Sequence, residues 1–204
     1  MIDWQRWHTS YDDPRSPLSQ RLVEVRRQVR LALDRSVPGA IRLLSLCAGD
    51  GRDVLPVLAG HRRGTDVRGR LVELEPGLCA AARASAPPAV EVLEADAGDT
   101  SACAGAAPAD LLLMCGIFGN VGDDDVERTV SAVPSLLATG GTVIWTRSTR
   151  APDLTPRIRS WFEEVGVEEV SFAAAPAPGW SVGAGVHRGP TAPFVAGRRL
   201  FAFR

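Results

Sequence analysis

The run Leu43-Leu-Ser-Leu-Cys-Ala-Gly-Asp-Gly51 decides the fold. Ile41–Leu46 reads as a buried strand, Ala48-Gly-Asp-Gly51 as a turn, and the residues to about Leu58 as a helix. A strand that enters a Gly-x-Gly turn and then a helix lets the backbone approach a ligand closely, with free helix N–H groups aimed at it. Glycine also serves turns for purely steric reasons, so the turn alone is weak evidence. Two acids strengthen it. Glu73 ends a second strand, 22 residues after Gly51, where a carboxylate can take both hydroxyls of a ribose. Asp96, in Glu94-Ala-Asp-Ala97, follows a third strand, where an acid can accept from the exocyclic amine of a base. Taken singly, each acid reads as a solvated loop carboxylate; in order on successive strands they read as a nucleoside site.

Working outward, the alternation continues. Leu71–Leu74 and Val90–Leu93 read as strands around a helix from Pro76 to about Ala84. Asp110–Cys115 is apolar on consecutive positions, as a strand covered on both faces must be. A helix from about Asp124 to Leu137, a strand Thr142–Thr146 and a helix Leu154–Val165 follow. Upstream, Ser16-Pro17 offers a cap and an N1 proline for an amphipathic helix carrying Leu18, Leu22, Val25, Val29 and Leu33, which ends before Pro38-Gly39. Strand and helix in this order predict an α/β fold with a mostly parallel sheet and helices on both faces. At the end, Val167–Phe172 and Arg199–Phe203 are strand candidates separated by a Gly/Pro-rich stretch, and the simplest pairing is an antiparallel hairpin with a long loop.

Composition narrows the function. The 204 residues hold 45% apolar and 23% charged side chains, and net charge is −1. That is enough chain for one cored domain, without the positive excess of a nucleic-acid or anionic-membrane binder. All 23 basic residues are arginine. No apolar stretch approaches the roughly 18 residues of a membrane span. The start, Met1 to His8, has no signal-like apolar core. Cys47, Cys79, Cys103 and Cys115 form no C-x-x-C pair and have no nearby histidine at zinc-ligand spacing. The expectation is a cytoplasmic protein with reduced thiols, a small-molecule substrate and neither nucleic acid nor membrane as partner.

These motifs resemble the class I S-adenosylmethionine-dependent methyltransferases. Ser45-Leu-Cys-Ala-Gly-Asp-Gly51 is similar to their first motif, Val72-Glu73-Leu-Glu-Pro76 to the acidic second, and Ala95-Asp96-Ala97 to the adenine-contacting element. Asp110-Leu-Leu-Leu-Met-Cys-Gly116 resembles the fourth strand, and Leu136-Leu-Ala-Thr-Gly-Gly-Thr142 the turn before the fifth. Cys47 replaces the usual first glycine, and Ser45 a frequent acid. The resemblance implies a Rossmann-like seven-stranded sheet ending in an antiparallel hairpin strand. One domain spans 1–204, with 1–37 an arm and helix forming a lid and 38–204 the cofactor-binding core. It implies S-adenosylmethionine held by Cys47, Ala48, Gly49, Asp50, Gly51, Glu73, Leu74, Asp96, Ala97, Cys115 and Gly116.

The acceptor side is read from the residues. Ile117-Phe-Gly-Asn-Val121 follows strand four, where this fold opens its pocket, which makes Phe118 and Asn120 substrate candidates beside Trp4 and Trp7 of the arm. Packing of the arm against the first helix, or a turn role for Asn120, accounts for the same residues without a substrate. His8 and Tyr11 are the expected catalytic bases, with Asp12 and His187 behind them. Asp123-Asp124-Asp125 reads as the first turn of a helix, not a metal site, and metal-independent in-line transfer is expected. A non-catalytic protein binding the same cofactor or another nucleoside is the alternative. A nicotinamide-dependent reductase fits less well, since Val54 stands where its third glycine belongs.

Overall fold

The computed structural model describes Tyr11 and residues 13–204. Helix α1 (Pro17–Arg35) begins at Ser16, whose side chain accepts from the Ser19 N–H, with proline at the first position. Strand β1 (Ile41–Leu46) leads through the glycine turn into the short α2 (Leu55–Gly60). Strands β2 (Val67–Glu73) and β3 (Val90–Glu94) flank α3 (Pro76–Ser85). Strand β4 (Ala109–Met114) is followed by α4 (Asp123–Ser131) and a single turn, α5 (Val133–Leu136). Ala132 and Pro134 break what the sequence suggested as one helix. The chain continues through β5 (Leu137–Ser148), α6 (Thr155–Glu164), β6 (Val167–Ala174) and β7 (Trp180–His187).

The seven strands form one sheet in the order β3-β2-β1-β4-β5-β7-β6. The first five run parallel, and β7 enters antiparallel between β5 and β6. Side chains alternate across each strand, so one chain feeds two cores. Leu43, Leu111 and Leu113 meet Val25, Val29 and Leu33 of α1 and Leu55 of α2 on one face. Leu44, Leu112 and Met114 meet Val126, Ile158 and Phe162 on the other.

Three expectations are corrected here. The hairpin partner of β6 is β7, not Arg199–Phe203. The stretch Trp180 to His187 looked like loop because it holds Gly183 and Gly185, yet Gly183 is where the indole of Trp145 crosses from β5. A Cβ there would come within 2.2 Å of that ring. Residues 199–203 instead turn back over the carboxyl edge of the sheet, bridging Asp99 to Arg199 and Val121 to Phe203. Leu200 and Phe201 are buried by this return. Nor is α1 a lid: Leu22, Val25, Gln28, Val29, Ala32 and Leu33 are buried, and Gln28 Nε2 donates to Ser171 Oγ of β6 at 2.8 Å. It is a fixed layer of the core, and only its first turns reach the carboxyl edge.

The tail is held by packing as well as polar contacts, since Asp125 accepts from the Ala202 N–H at 3.0 Å and Thr100 Oγ1 from that of Arg198 at 2.9 Å. Phe201→Ala is expected to lower unfolding free energy by about 3–5 kcal/mol with the helix and strand content kept. Urea unfolding followed by circular dichroism measures both.

Candidate cofactor and acceptor cavities

Two cavities open along the carboxyl edge of the parallel strands, where open α/β sheets bind ligands. The first, about 370 Å³, lies over the ends of β1, β2 and β4, with Asp96 just beyond β3. Its floor is the turn after β1. Ala48 donates its N–H to Val72 O at 2.9 Å, extending the β1–β2 ladder by one bond. Gly51 N–H returns to Ala48 O at 3.0 Å and closes the turn.

Glu73 fastens that turn to β2. Its Oε2 accepts from the Gly49 N–H at 2.8 Å, and its Oε1 accepts from the Leu74 and Glu75 N–H groups, each at 2.9 Å. A carboxylate with three backbone donors is held in one rotamer, and its remaining lone pairs border the cavity. Asp96 is organised differently: Oδ1 accepts from the Gly98 N–H at 2.8 Å, and Oδ2 meets Arg199 of the returning tail at 2.5 Å. Both side chains are about half exposed, so the pair adds little stability but occupies the acid. Phe203 lines the same cavity.

Of the residues expected to hold the cofactor, Cys47, Ala48, Gly49, Glu73, Leu74, Asp96, Ala97, Cys115 and Gly116 line this cavity. Asp50 and Gly51 do not. Asp50 pairs with Arg52 at 2.6 Å, and Gly51 is buried with φ +76° facing Leu55, whose Cδ1 would stand 2.4 Å from an added Cβ. Its glycine is a packing requirement rather than a ligand approach. Helix N–H groups do not face the ligand either, because those of Val54 and Leu55 both bond to Gly51 O.

Cys47 takes φ +53°, a left-handed conformation that costs a non-glycine residue of order 1–3 kcal/mol. Burial first, then the charges of Glu73 and Asp96, push its thiol well above the ordinary range, so the sulfur stays protonated.

Sequence reasoning missed Asp53, the acid two residues after the second glycine. It is half-buried in the cavity wall, and the Cys115 thiol donates to its carboxylate. Desolvation raises its pKa above the ordinary 3.8, against the opposing pull of Arg21 and that same hydrogen bond. Tyr11 stands opposite, its phenol accepting from Arg21 Nη2 at 2.6 Å and its ring under the Arg52 guanidinium at 4.4 Å. Burial pushes the Tyr11 phenol up to about 12. A phenol that stays protonated at neutral pH is a wall and a hydrogen-bonding group, which corrects its expected role as a base.

The second cavity, about 500 Å³, continues toward β5 and β7 and shares Arg21 and Gly116 with the first. Asn120 lines it, but its Nδ2 donates to Gly116 O at 2.7 Å, a clamp across the turn after β4. Phe118 does not line it. It is fully buried, 6.1 Å from Trp145 and 6.5 Å from Phe162 between ring centroids, so it is a core residue and not a substrate contact. His187 lies at the far end of β7, buried with Nδ1 against Leu137 O at 3.2 Å, too remote to act as a base. Trp4, Trp7, His8 and Asp12 lie outside the described residues.

The sequence matches no protein-family model and no curated protein. Solved structures do match. Magnesium protoporphyrin IX methyltransferase from Synechocystis, solved with bound SAM, aligns with TM-score 0.68 at 11% identity, covering 90% of each chain. The N-methyltransferase NodS from Bradyrhizobium japonicum gives 0.61 at 15% identity over 88% of this chain and 99% of that one. An O-methyltransferase family protein from Burkholderia thailandensis gives 0.63 at 18%, over 86% and 57%. The chain therefore has the Rossmann-like fold of the class I methyltransferases, including the antiparallel strand β7 inserted beside β5.

Asp53 supplies a test. Because folding raises its pKa, the folded state holds its proton to higher pH than the unfolded chain does. The resulting penalty is absent below about pH 4 and grows as pH rises through the folded value. Asp53→Asn is expected to melt at a higher temperature than wild type at pH 7–8, with the advantage shrinking toward pH 4. An unchanged difference across that range would assign the effect to packing.

Proposed function

We propose that the chain is a cytoplasmic S-adenosylmethionine-dependent methyltransferase acting on a small-molecule acceptor by metal-independent in-line displacement. The observation that carries this reading is the pair of adjacent cavities: one of about 370 Å³ bordered by Glu73 and Asp96, sharing Arg21 and Gly116 with another of about 500 Å³. The residues present fit the cofactor. Glu73 offers lone pairs for ribose hydroxyls, the Ala97 and Phe203 side offers apolar surface for a base, and the Gly49 turn offers bare backbone. At 11–18% identity, the similar structures support the fold on which this rests.

When bound, S-adenosylmethionine supplies an electrophilic methyl group on a sulfonium. The chain's own part is to exclude water and hold the nucleophile in line, which in favourable systems is worth roughly 7–11 kcal/mol. Arg21 and Gly116 stand where the two ligands would meet, and Tyr11 contacts Arg21 from the side of the first cavity. Asp53, coupled to Arg21 and bonded to Cys115, is the described group beside that junction able to take up a proton from a nucleophile. Metal independence is supported by how the one dense acidic run is spent. Asp123, Asp124 and Asp125 form the first turn of α4, and Asp125 is committed to Arg128 and to the Ala202 N–H. Among the described residues, no three potential ligands come together.

Calorimetric titration with S-adenosylhomocysteine is expected to give saturable binding. Glu73→Gln should weaken it by roughly tenfold or more, the value of one charge-assisted bond. Tight nicotinamide-nucleotide binding in place of S-adenosylhomocysteine would overturn the reading, as would transfer that EDTA abolishes and magnesium restores. S-adenosylhomocysteine binding with no methyl transfer to any of a broad panel of nucleophiles would favour a non-catalytic binder.

A further inference from the structure

The second cavity is cationic by construction. Arg21, Arg147 and Arg150 line it, and no carboxylate does so among the described residues. Arg147 is the informative one. It sits near the end of β5 with its side chain only 13% exposed, and Nη1 donates to Phe118 O. Its closest acid, Asp123, stands 3.9 Å away, and its Nε is buried with no acceptor. The indole Nε1 of Trp180, at the start of β7 and on the same cavity, is likewise buried without an acceptor. Arg150 is exposed at the rim, its guanidinium without a partner among the described residues. A buried N–H donor without an acceptor, such as Arg147 Nε, is costly unless a ligand supplies the missing oxygen. Leu18 and Pro152 give the same cavity apolar wall.

We infer that this cavity takes an organic oxyanion, an apolar body carrying a carboxylate or phosphonate-type head, with the head toward Arg147 and Arg150 at the end of β5. Its assignment as the methyl acceptor rests on the cofactor reading above. The anionic head fixes the molecule at the β5–β7 end of the cavity. A nucleophile elsewhere on the same molecule then lies toward Gly116 and Arg21, where the two cavities join. Arginine suits this task because its planar fork stays charged when desolvated and engages two oxygens at once.

The test is a titration of the full chain, with and without S-adenosylhomocysteine, using benzoate, phenylphosphonate and the uncharged isostere benzamide, read by ligand-observed NMR. Benzoate or phenylphosphonate should bind at least roughly tenfold more tightly than benzamide, and the tighter of the two identifies the head group. Arg147→Met and Arg150→Met should each weaken the anion, while Arg68→Met, exposed at the opposite edge of the sheet, should not. Arg150 is exposed, so its variant carries the test even where Arg147→Met fails to fold. Equal binding of benzamide and benzoate, or no binding of either anion, overturns the inference. Absence of anion binding with S-adenosylhomocysteine binding intact refutes this site alone. Anion binding without S-adenosylhomocysteine binding refutes the cofactor reading and leaves the anion site standing.

Discussion

The contact between Glu73 and the backbone around it fixes the geometry on which the first cavity depends. One oxygen gathers the Gly49 N–H from the turn after β1, and the other gathers the Leu74 and Glu75 N–H groups at the start of the β2–α3 loop. Two loops from neighbouring strands are thus set against each other by one carboxylate. Without it, three polar N–H groups at the mouth of the sheet would lose their acceptor, and the turn would be left with the 2.9 Å bond from Ala48 to Val72 and its own 3.0 Å bond from Gly51 to Ala48. Cys47 is held inside this arrangement at φ +53°. The backbone closes around the turn tightly enough to hold a side chain in a conformation that glycine would enter without cost.

Burial and charge then divide the edge of the sheet into unlike halves. Over β1, β2 and the β3 loop, the polar groups are mainly carboxylates, alongside the guanidiniums of Arg21 and Arg52 and apolar surface. Over β5 and β7 they are guanidiniums and an indole N–H. Asp53 sits close to the border, with Arg21 and Cys115 as its neighbours. Solvent exclusion raises both acid groups there, the carboxyl and the phenol of Tyr11, so each favours its neutral form more than in water.

The alternation of strand and helix in the parallel half was legible in the chain because its signals are local: apolar runs, N1 prolines at Pro17 and Pro76, and acids at strand ends. Glu73 and Asp96 were found by their distance from the glycine turn, and both line the cavity. What escaped depends on partners distant in sequence. Trp180 to His187 reads as loop until Trp145 is placed against Gly183, since a glycine in a strand signals a bulge or a loop unless something fills the space above it. Phe118 and Asn120 follow β4 as pocket residues should, but a side chain at such a turn can face either way, and Phe118 found a better place among Trp145 and Phe162. Asp53 gave a signal that was overlooked, a carboxylate just after the glycines with no charge partner in helical register.

The return of the chain over the carboxyl edge has a consequence for when the first cavity comes into being. Asp96 and Arg199 are separated by 103 positions, and the tail's bridges from Arg199 to Asp99 and from Phe203 to Val121 also join residues far apart in sequence. On a growing polypeptide the strands emerge first, so the side of the sheet edge over β1 and β2 would remain an open ledge until residues 199–203 leave the ribosome and settle across it. Leu200 and Phe201 belong to the core on one face of the sheet, so release of the tail would uncover the ledge and loosen part of that core with it.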